Sequence, residues 1–592
     1  MESMQGWKRT NTCGELNSNF VGKDVVLMGW VHSRRDLGKL IFVDLRDREG
    51  ITQVVFDPQI NQTAYDKAKQ LKNEYVIAVK GKVHMRAKGQ ENPRLSTGEI
   101  EVKAEALKVL NKAELLPFQI HGAVDGSETL RLKYRYLEMR RHEVMEVFKL
   151  RHRVASFIRN YFDKKGFIEV ETPFLTKSTP EGARDYLVPS RIMKGRFYAL
   201  PQSPQLFKQI LMVAGFDKYY QIVRCFRDED LRADRQPEFT QVDVEMSFVE
   251  EEDVMCVFED MIKQLFIEVL NYEIETPVPR LDYEDAMERF GSDKPDVRFG
   301  MEIYDITESL KSSQFKIFLN TIDAGGRIKA IKVEDSGFSR KDLDKISEEV
   351  KDYGANGVIW AKVVNGGWQS PIKKYVQDEK KREINQILGA KDGDLILMIA
   401  DKNEVARKAL GMLRSSLAEK LDLTEKKKFA FVWIKNFPLF QYNEEEERLE
   451  PVHHPFTAPV DEDVELLDRD PLRVRAKAYD LVLNGEEIGG GSIRIHLLEL
   501  QKKIFSKIGI SEQESEQRFG FFLEALRYGA PPHGGMALGF DRLVAIMAGR
   551  SSIREVIPFP KTTSASCPLT GAPSEVDQRQ LQELGIRVAM EE

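Results

Sequence analysis

Arg224-Cys-Phe-Arg-Asp-Glu-Asp-Leu-Arg-Ala-Asp-Arg-Gln-Pro-Glu-Phe-Thr-Gln241, running on into Val242-Asp-Val-Glu-Met-Ser-Phe248, is the stretch that decides the architecture. Its second half alternates apolar and polar residues, which predicts a strand with two chemically different faces. The whole reads as a strand, a charged loop and a second strand, with Arg227 and Glu229 near the first strand's end. An arginine anchored there can grip a phosphate with its two-pronged guanidinium, and the neighbouring acids can aim it or hold a metal. The same charges also suit a solvated loop of salt bridges, and charge content alone leaves both readings open.

Three further segments carry chemistry. Gly485-Glu-Glu-Ile-Gly-Gly-Gly-Ser-Ile-Arg-Ile-His496 has three consecutive glycines that let a backbone approach a ligand closely, with Glu487 before them and Arg494 after. His533-Gly-Gly-Met-Ala-Leu-Gly-Phe-Asp-Arg-Leu543 predicts a glycine-punctuated strand passing into a helix with Arg542 in its first turn. The helix dipole opposes a cation at that position unless an anion sits nearby. Gln202-Ser-Pro-Gln-Leu-Phe-Lys208 reads as a helix start that sets Gln205 and Lys208 one turn apart.

Outward from these, 592 residues suffice for three or more domains. Residues 1–110 predict five short strands, Val25–Trp30, Leu40–Asp44, Thr52–Phe56, Tyr75–Val83 and Ile100–Leu110, the pattern of a small closed barrel. That segment holds 18 basic against 14 acidic residues, while the whole chain has a net charge of −7. Bulk positive charge is therefore excluded as the basis of any nucleic-acid binding, but a local basic surface is not. Residues 111–140 read as a connector, and Leu137–Lys165 as one long amphipathic helix followed by a strand at Phe167–Val170. Between about 298 and 425 the texture turns Lys- and Asp-rich, which suggests an inserted domain. The four cysteines lie far apart and no zinc spacing exists, so a reduced, cytoplasmic protein is expected. No signal-peptide pattern and no run of about 18 apolar residues is present, so no membrane association is expected.

Together the motifs resemble a known family. The segment from Phe226 to Gln241 is similar to motif 2 of the class II aminoacyl-tRNA synthetases, Gly535–Leu543 to motif 3, and Gly166–Tyr186 to motif 1. With the Gln202–Gln209 and Glu487–His496 segments, the chain resembles the bacterial type of aspartyl-tRNA synthetase over nearly its full length. The resemblance implies an α+β fold: an OB-fold anticodon-binding barrel at 1–110, a hinge at 111–140, and an antiparallel catalytic sheet flanked by helices. That catalytic domain would be split into 141–297 and 426–560 by an inserted GAD domain at 298–425, with a C-terminal extension at 561–592.

The implied reaction activates L-aspartate with MgATP to aspartyl-adenylate and passes the aspartyl group to the 3′ end of tRNA(Asp). By the same resemblance Arg227 and Arg542 are the catalytic arginines. ATP falls to Arg227, Asp228, Glu229, Gln236, Phe239, Glu487 and the turn Gly539-Phe540-Asp541-Arg542, and Mg²⁺ to Asp480 and Glu487. Aspartate falls to Glu181, Gln205, Leu206, Phe207, Lys208, Arg227, Asp243, His453 and Arg494, with Lys208 and Arg494 on its side-chain carboxylate. Arg35, Phe42 and Gln53 align with positions that handle the anticodon, though Phe42 also suits barrel packing. Leu37 stands where relatives that also charge asparagine tRNA often have histidine, which leans towards aspartate tRNA alone. A homodimer through the motif 1 segment around Pro173 is implied. A silent RNA-binding paralogue and an asparagine synthetase of the same fold are the competing readings. Intact Arg227, Glu487 and Arg542 oppose the first, and the barrel at 1–110 opposes the second.

Overall fold

The computed structural model describes residues 2–122, 126–179, 182–231, 234–335, 337–425 and 428–589. The chain forms two compact units: residues 1–146 with 567–572, and residues 147–566 with 573–592.

In the first unit, β1 (Asp24–Leu37), β2 (Leu40–Arg46), β3 (Ile51–Phe56), β4 (Val76–Met85) and β5 (Ile100–Asn111) close into a barrel in the order β1-β2-β3-β5-β4. Alternation along each strand sends Val25, Leu27, Ile41, Val43, Leu45 and Val54 inward to a dry core. β1 runs seven residues beyond the expected end at Trp30. It keeps pairing with β2 up to Leu37 opposite Leu40, across the two-residue turn Gly38-Lys39, where Gly38 takes φ +70°. The expected helix from Leu137 is two helices, Arg135–Glu138 and α1 (His142–Lys164). At the break Arg140 reaches Glu74 at 2.9 Å and Arg141 reaches the Gly122 carbonyl at 2.9 Å.

The second unit follows with β6 (Ile168–Glu169), shorter than expected, α2 (Gln205–Val213), β7 (Lys218–Phe226), β8 (Glu238–Ser247), α3 (Glu251–Leu270) and β9 (Arg280–Asp282). Residues 304–401 then build a separate antiparallel sheet from β10 (Tyr304–Asp305), β11 (Arg327–Val333), β12 (Ile359–Val364), β13 (Gly367–Gln369) and β14 (Leu395–Asp401), in the order β10-β11-β14-β12-β13. The chain returns to the first sheet with β15 (Phe431–Lys435), β16 (Ala478–Leu483), β17 (Glu486–Ile493) and β18 (His533–Gly539), and then forms α4 (Phe540–Met547).

The main sheet runs β9-β15-β16-β17-β18-β8-β7-β6 and is antiparallel except where β9 and β6 join at its edges. On β8, Val242, Val244 and Met246 pack into the core with α1 and α3. Gln241, Asp243 and Glu245 therefore stand on the opposite face, which carries the site.

Candidate active site

The strand–loop–strand expected around Arg227 is present, and β7 and β8 pair from Phe226 opposite Glu238 onward. The expected strand-to-helix turn is present too, with β18 paired to β8 and Arg542 in the first turn of α4. Close approach explains the glycines. A Cβ on Gly535 would strike the Val244 carbonyl and the Glu245 carboxylate, and one on Gly490 would strike Asp480 Oδ1 with Glu487 Oε1 only 3.8 Å away.

Two cavities share this face of the sheet. The larger, of about 490 Å³, is lined by Gln205, Lys208, Asp243, His453, Asp480 and Arg494, among others. The other, of about 230 Å³, is lined by Gln236, Phe239, Gly539, Asp541 and Arg542, among others. Arg227, Glu229, Gln241, Glu487 and Ala537 belong to both walls, so the two spaces meet at Arg227.

The floor of the larger cavity is a buried charge network. Lys208 Nζ lies 2.6 Å from Asp243 Oδ1 and 3.3 Å from Glu245 Oε2. Arg494 clamps Glu245 with Nε at 2.9 Å and a second N–H at 3.1 Å. Its other prong donates to Ser492 Oγ and approaches His454 Nε2, both at 2.7 Å. Two cations thus face two carboxylates in a nearly dry place, where removing one partner is far costlier than the pair is worth. Burial pushes the Asp243 carboxyl above its usual range despite Lys208. For Glu245 burial works in the same direction, but Arg494 and Lys208 prevail and hold it low. Burial and then Arg494 drive the His454 imidazole far below its usual range. For His453, burial is overcome by Asp480, 3.3 Å away, and the imidazole is raised. The Phe437 ring meets His453 edge-on at 4.6 Å.

In the smaller cavity the Arg227 guanidinium stands 5.1 Å above the Phe239 ring. Arg235 pairs with Glu229 at 2.7 Å. Arg542 donates to the Glu487 carbonyl and lies 3.3 Å from Asp234, while its Nε, shut off from solvent, has no hydrogen-bond partner among the described residues. Asp480 and Glu487 approach each other across Gly490. The charge of Asp480, then burial, lifts the Glu487 carboxyl against the opposing pull of Arg542.

Several expected residues have their side chains engaged elsewhere, even where, as with Gln236 and Asp541, they also border the smaller cavity. The Phe540 side chain is buried in the core under the Arg151 guanidinium, 4.6 Å away. Asp541 accepts from Arg151 at 2.5 Å and from the Thr240 amide at 2.7 Å, so both its oxygens tie α4 to the strands. Asp228 pairs through its main chain with Arg184. Leu206 and Phe207 line a separate cavity of about 60 Å³, because they sit on α2 between Gln205 and Lys208 and turn away from them. Gln236 exchanges both ends of its amide with the Lys561 main chain, at 3.1 and 2.7 Å. Glu181 lies outside the described residues.

Glu245, Gln241, His454, Gln209 and His533 were missed by the sequence reading. Period-two alternation through Gln241, Asp243 and Glu245 could have found the first two. On the barrel, Phe42 is half-buried between the fully buried Ile41 and Val43 and is not part of their core. Arg35, its register partner, donates to Gln53 at 3.1 Å and pairs with Asp44 at 3.2 Å. Gln53 is itself buried and also donates to Glu101 at 3.1 Å. Leu37 is 66% exposed at the hairpin tip.

Comparison with known proteins agrees with this geometry. Residues 127–563 match the family described as tRNA synthetases class II (D, K and N), and residues 25–110 match the OB-fold nucleic acid binding domain. The chain is 53% identical over 591 residues to the aspartate–tRNA(Asp/Asn) ligase of Geotalea uraniireducens, covering 100% of both chains. It is also 53% identical over 587 residues to an aspartate–tRNA ligase of Clostridium botulinum, covering 99% of each. Among solved structures, asparaginyl-tRNA synthetase from Pyrococcus horikoshii, complexed with asparaginyl-adenylate, shares the fold. Its TM-score is 0.59 at 20% identity, covering 94% of this chain and 98% of that one. A match over most of the chain and full-length relatives at this identity leave one conclusion: the chain belongs to the class II tRNA synthetases of the aspartate, lysine and asparagine group.

Proposed function

We propose a division of labour for the aspartate–tRNA ligase reaction, carried by one observation: the charge-lined cavity and the Phe239–Arg542 cavity meet at Arg227. L-Aspartate occupies the first. Its side-chain carboxylate faces Lys208 and Arg494, its ammonium faces Gln205, and His453 closes the entrance. ATP occupies the second, with adenine on Phe239, Glu229 and Gln236 holding the nucleotide, and the γ-phosphate on Arg542. The α-carboxylate oxygen of aspartate attacks the α-phosphorus, the bond to the bridging oxygen breaks, and pyrophosphate leaves. The terminal ribose hydroxyl of tRNA then attacks the aspartyl carbonyl, forming the ester and releasing AMP. No side chain forms a covalent bond, so the chain contributes positioning and charge stabilisation, with Arg227 bridging carboxylate and phosphate.

Asp480 and Glu487 fit Mg²⁺: they are hard oxygen donors close together, with Glu487 raised by its neighbour's charge. The described residues hold no cluster of three or more metal-ligating side chains, so phosphate oxygens and water would complete the shell. The ion would neutralise charge on the polyphosphate. Glu487→Gln is expected to lower pyrophosphate exchange by more than about tenfold and to abolish the rise in unfolding temperature on adding MgATP. An unchanged Mg²⁺ response would remove Glu487 from the metal.

On the barrel, Phe42 and Arg35 offer a stacking surface and a cation to splayed anticodon bases. Relatives at the same identity include ligases for aspartate tRNA and for both aspartate and asparagine tRNAs. The exposed Leu37, without a polar group to offer a base, supports restriction to tRNA(Asp). Charging purified aspartate and asparagine tRNAs in parallel tests both activity and restriction. Charging of aspartate tRNA alone is expected; equal charging of both would overturn the restriction, and charging of neither the ligase reading itself. Beside Pro173, Phe174 and Leu175 are 45% and 54% exposed, which supports a homodimer through this segment. Sedimentation at the mass of a single chain at micromolar concentration would contradict it. No helix among the described residues is long and apolar enough to cross a membrane.

A further inference from the structure

Behind the aspartate cavity runs a chain of buried polar groups that the chemistry above does not use. Gln205, on the cavity wall, donates Nε2–H to Gln209 Oε1 at 2.9 Å. Gln209 is fully buried and turns its own Nε2 to His533 Nε2 at 3.1 Å. His533 is also fully buried, with Nδ1 2.7 Å from the Pro531 carbonyl oxygen. With the ring neutral, one set of polarities satisfies this chain. A carbonyl only accepts, so Nδ1 carries the hydrogen, and Nε2 of the neutral ring is bare. Burial pushes the His533 imidazole down, which keeps the ring neutral. Gln209 must then point its NH₂ at the ring and its oxygen at Gln205. Gln205 spends its own NH₂ on that oxygen, and its Oε1 is left for the cavity.

We infer that His533 and Gln209 are positioning residues: through them the Pro531 carbonyl sets the Gln205 amide so that the cavity presents an acceptor, not a second donor, to the α-ammonium of aspartate. The inference rests on the assignment of Gln205 to that ammonium. A reversed amide would set N–H against a cation and forfeit a charge-assisted hydrogen bond. Reversing Gln209 or the His533 tautomer alone sets donor against donor, and reversing Gln205 alone sets two acceptors face to face.

The test compares L-aspartate with succinate, which keeps both carboxylates and lacks the ammonium, by calorimetric binding to the full-length enzyme. Gln209→Met, similar in size and without the amide, is expected to lose about tenfold or more of the preference for aspartate while succinate binding holds. Gln209→Glu still offers an oxygen to Gln205 and is expected to keep the preference. Equal weakening of both ligands, or an unchanged ratio in Gln209→Met, would overturn the relay. Gln205→Ala separates the two levels. If it leaves the ratio unchanged, the ammonium assignment itself fails; if it abolishes the preference while Gln209→Met does not, the relay alone fails. Nitrogen-15 NMR of His533 in the unsubstituted enzyme is independent of how the variants fold. It is expected to report hydrogen on Nδ1 and a bare Nε2, and the opposite tautomer would refute the inference.

Discussion

Replacing Arg227 by alanine is expected to lower aspartate-dependent exchange of pyrophosphate into ATP by about 10³-fold or more, the scale of losing a preorganised donor aimed at developing charge. Arg227 belongs to the walls of both cavities, and its guanidinium is set by the Phe239 ring below it. Its cost should fall on turnover more than on either substrate's KM, because the charge it meets is greatest as the α-phosphorus is attacked. The fold should survive, since the side chain lines open space and no core cluster includes it. An Arg227→Ala enzyme with near wild-type exchange would remove this residue from the reaction.

Lys208→Leu is expected to do something different. The KM for aspartate should rise by roughly 10- to 150-fold, the range of a hydrogen bond to a charged group, with the KM for ATP almost unmoved. Equal loss for both substrates would contradict the carboxylate assignment. Stability should also fall, because Asp243 and Glu245 lose the cation between them, and breaking a buried pair costs about 3–5 kcal/mol. Asp243 has an escape, for burial already raises its carboxyl and Lys208 is the main opposing charge. In the variant it is expected to take up a proton. A carboxyl raised in the folded state contributes stability that is present at low pH and lost as pH rises above the unfolded value. The gap in unfolding temperature between wild type and Lys208→Leu should therefore widen from about pH 5 to pH 8. A gap that narrows over that range would show that Asp243 stays ionised. On the proposed assignment the same pair of cations favours aspartate over asparagine, whose side chain brings no charge to Lys208 and Arg494.

Legibility followed the range of the contacts. The barrel strands and the β7–loop–β8 unit were readable because alternation is local, and so was the entry into α4. What escaped were pairings across hundreds of residues. Arg494 finds Glu245 across 249 positions, Gln209 finds His533 across 324, and Gln236 finds the Lys561 main chain across 325. No periodicity reports such meetings, because they depend on strand order in the sheet. Asp541 is instructive for the opposite reason. It sits inside a motif that the resemblance assigns to ATP, yet both oxygens are taken by Arg151 and the Thr240 amide. Motif membership identified the segment; only the geometry showed that Asp541, though it borders the smaller cavity, is committed to holding the segment in place. The acidic total charge likewise hid a barrel with four net positive charges.

The most direct measurement is a crystal structure of the enzyme with a non-hydrolysable aspartyl-adenylate analogue. The side-chain carboxylate is expected between Lys208 and Arg494, the phosphate position against Arg227, and the adenine on Phe239. A carboxylate bound away from both cations, or an adenine outside the cavity of Phe239 and Arg542, would contradict the assignment of the two cavities.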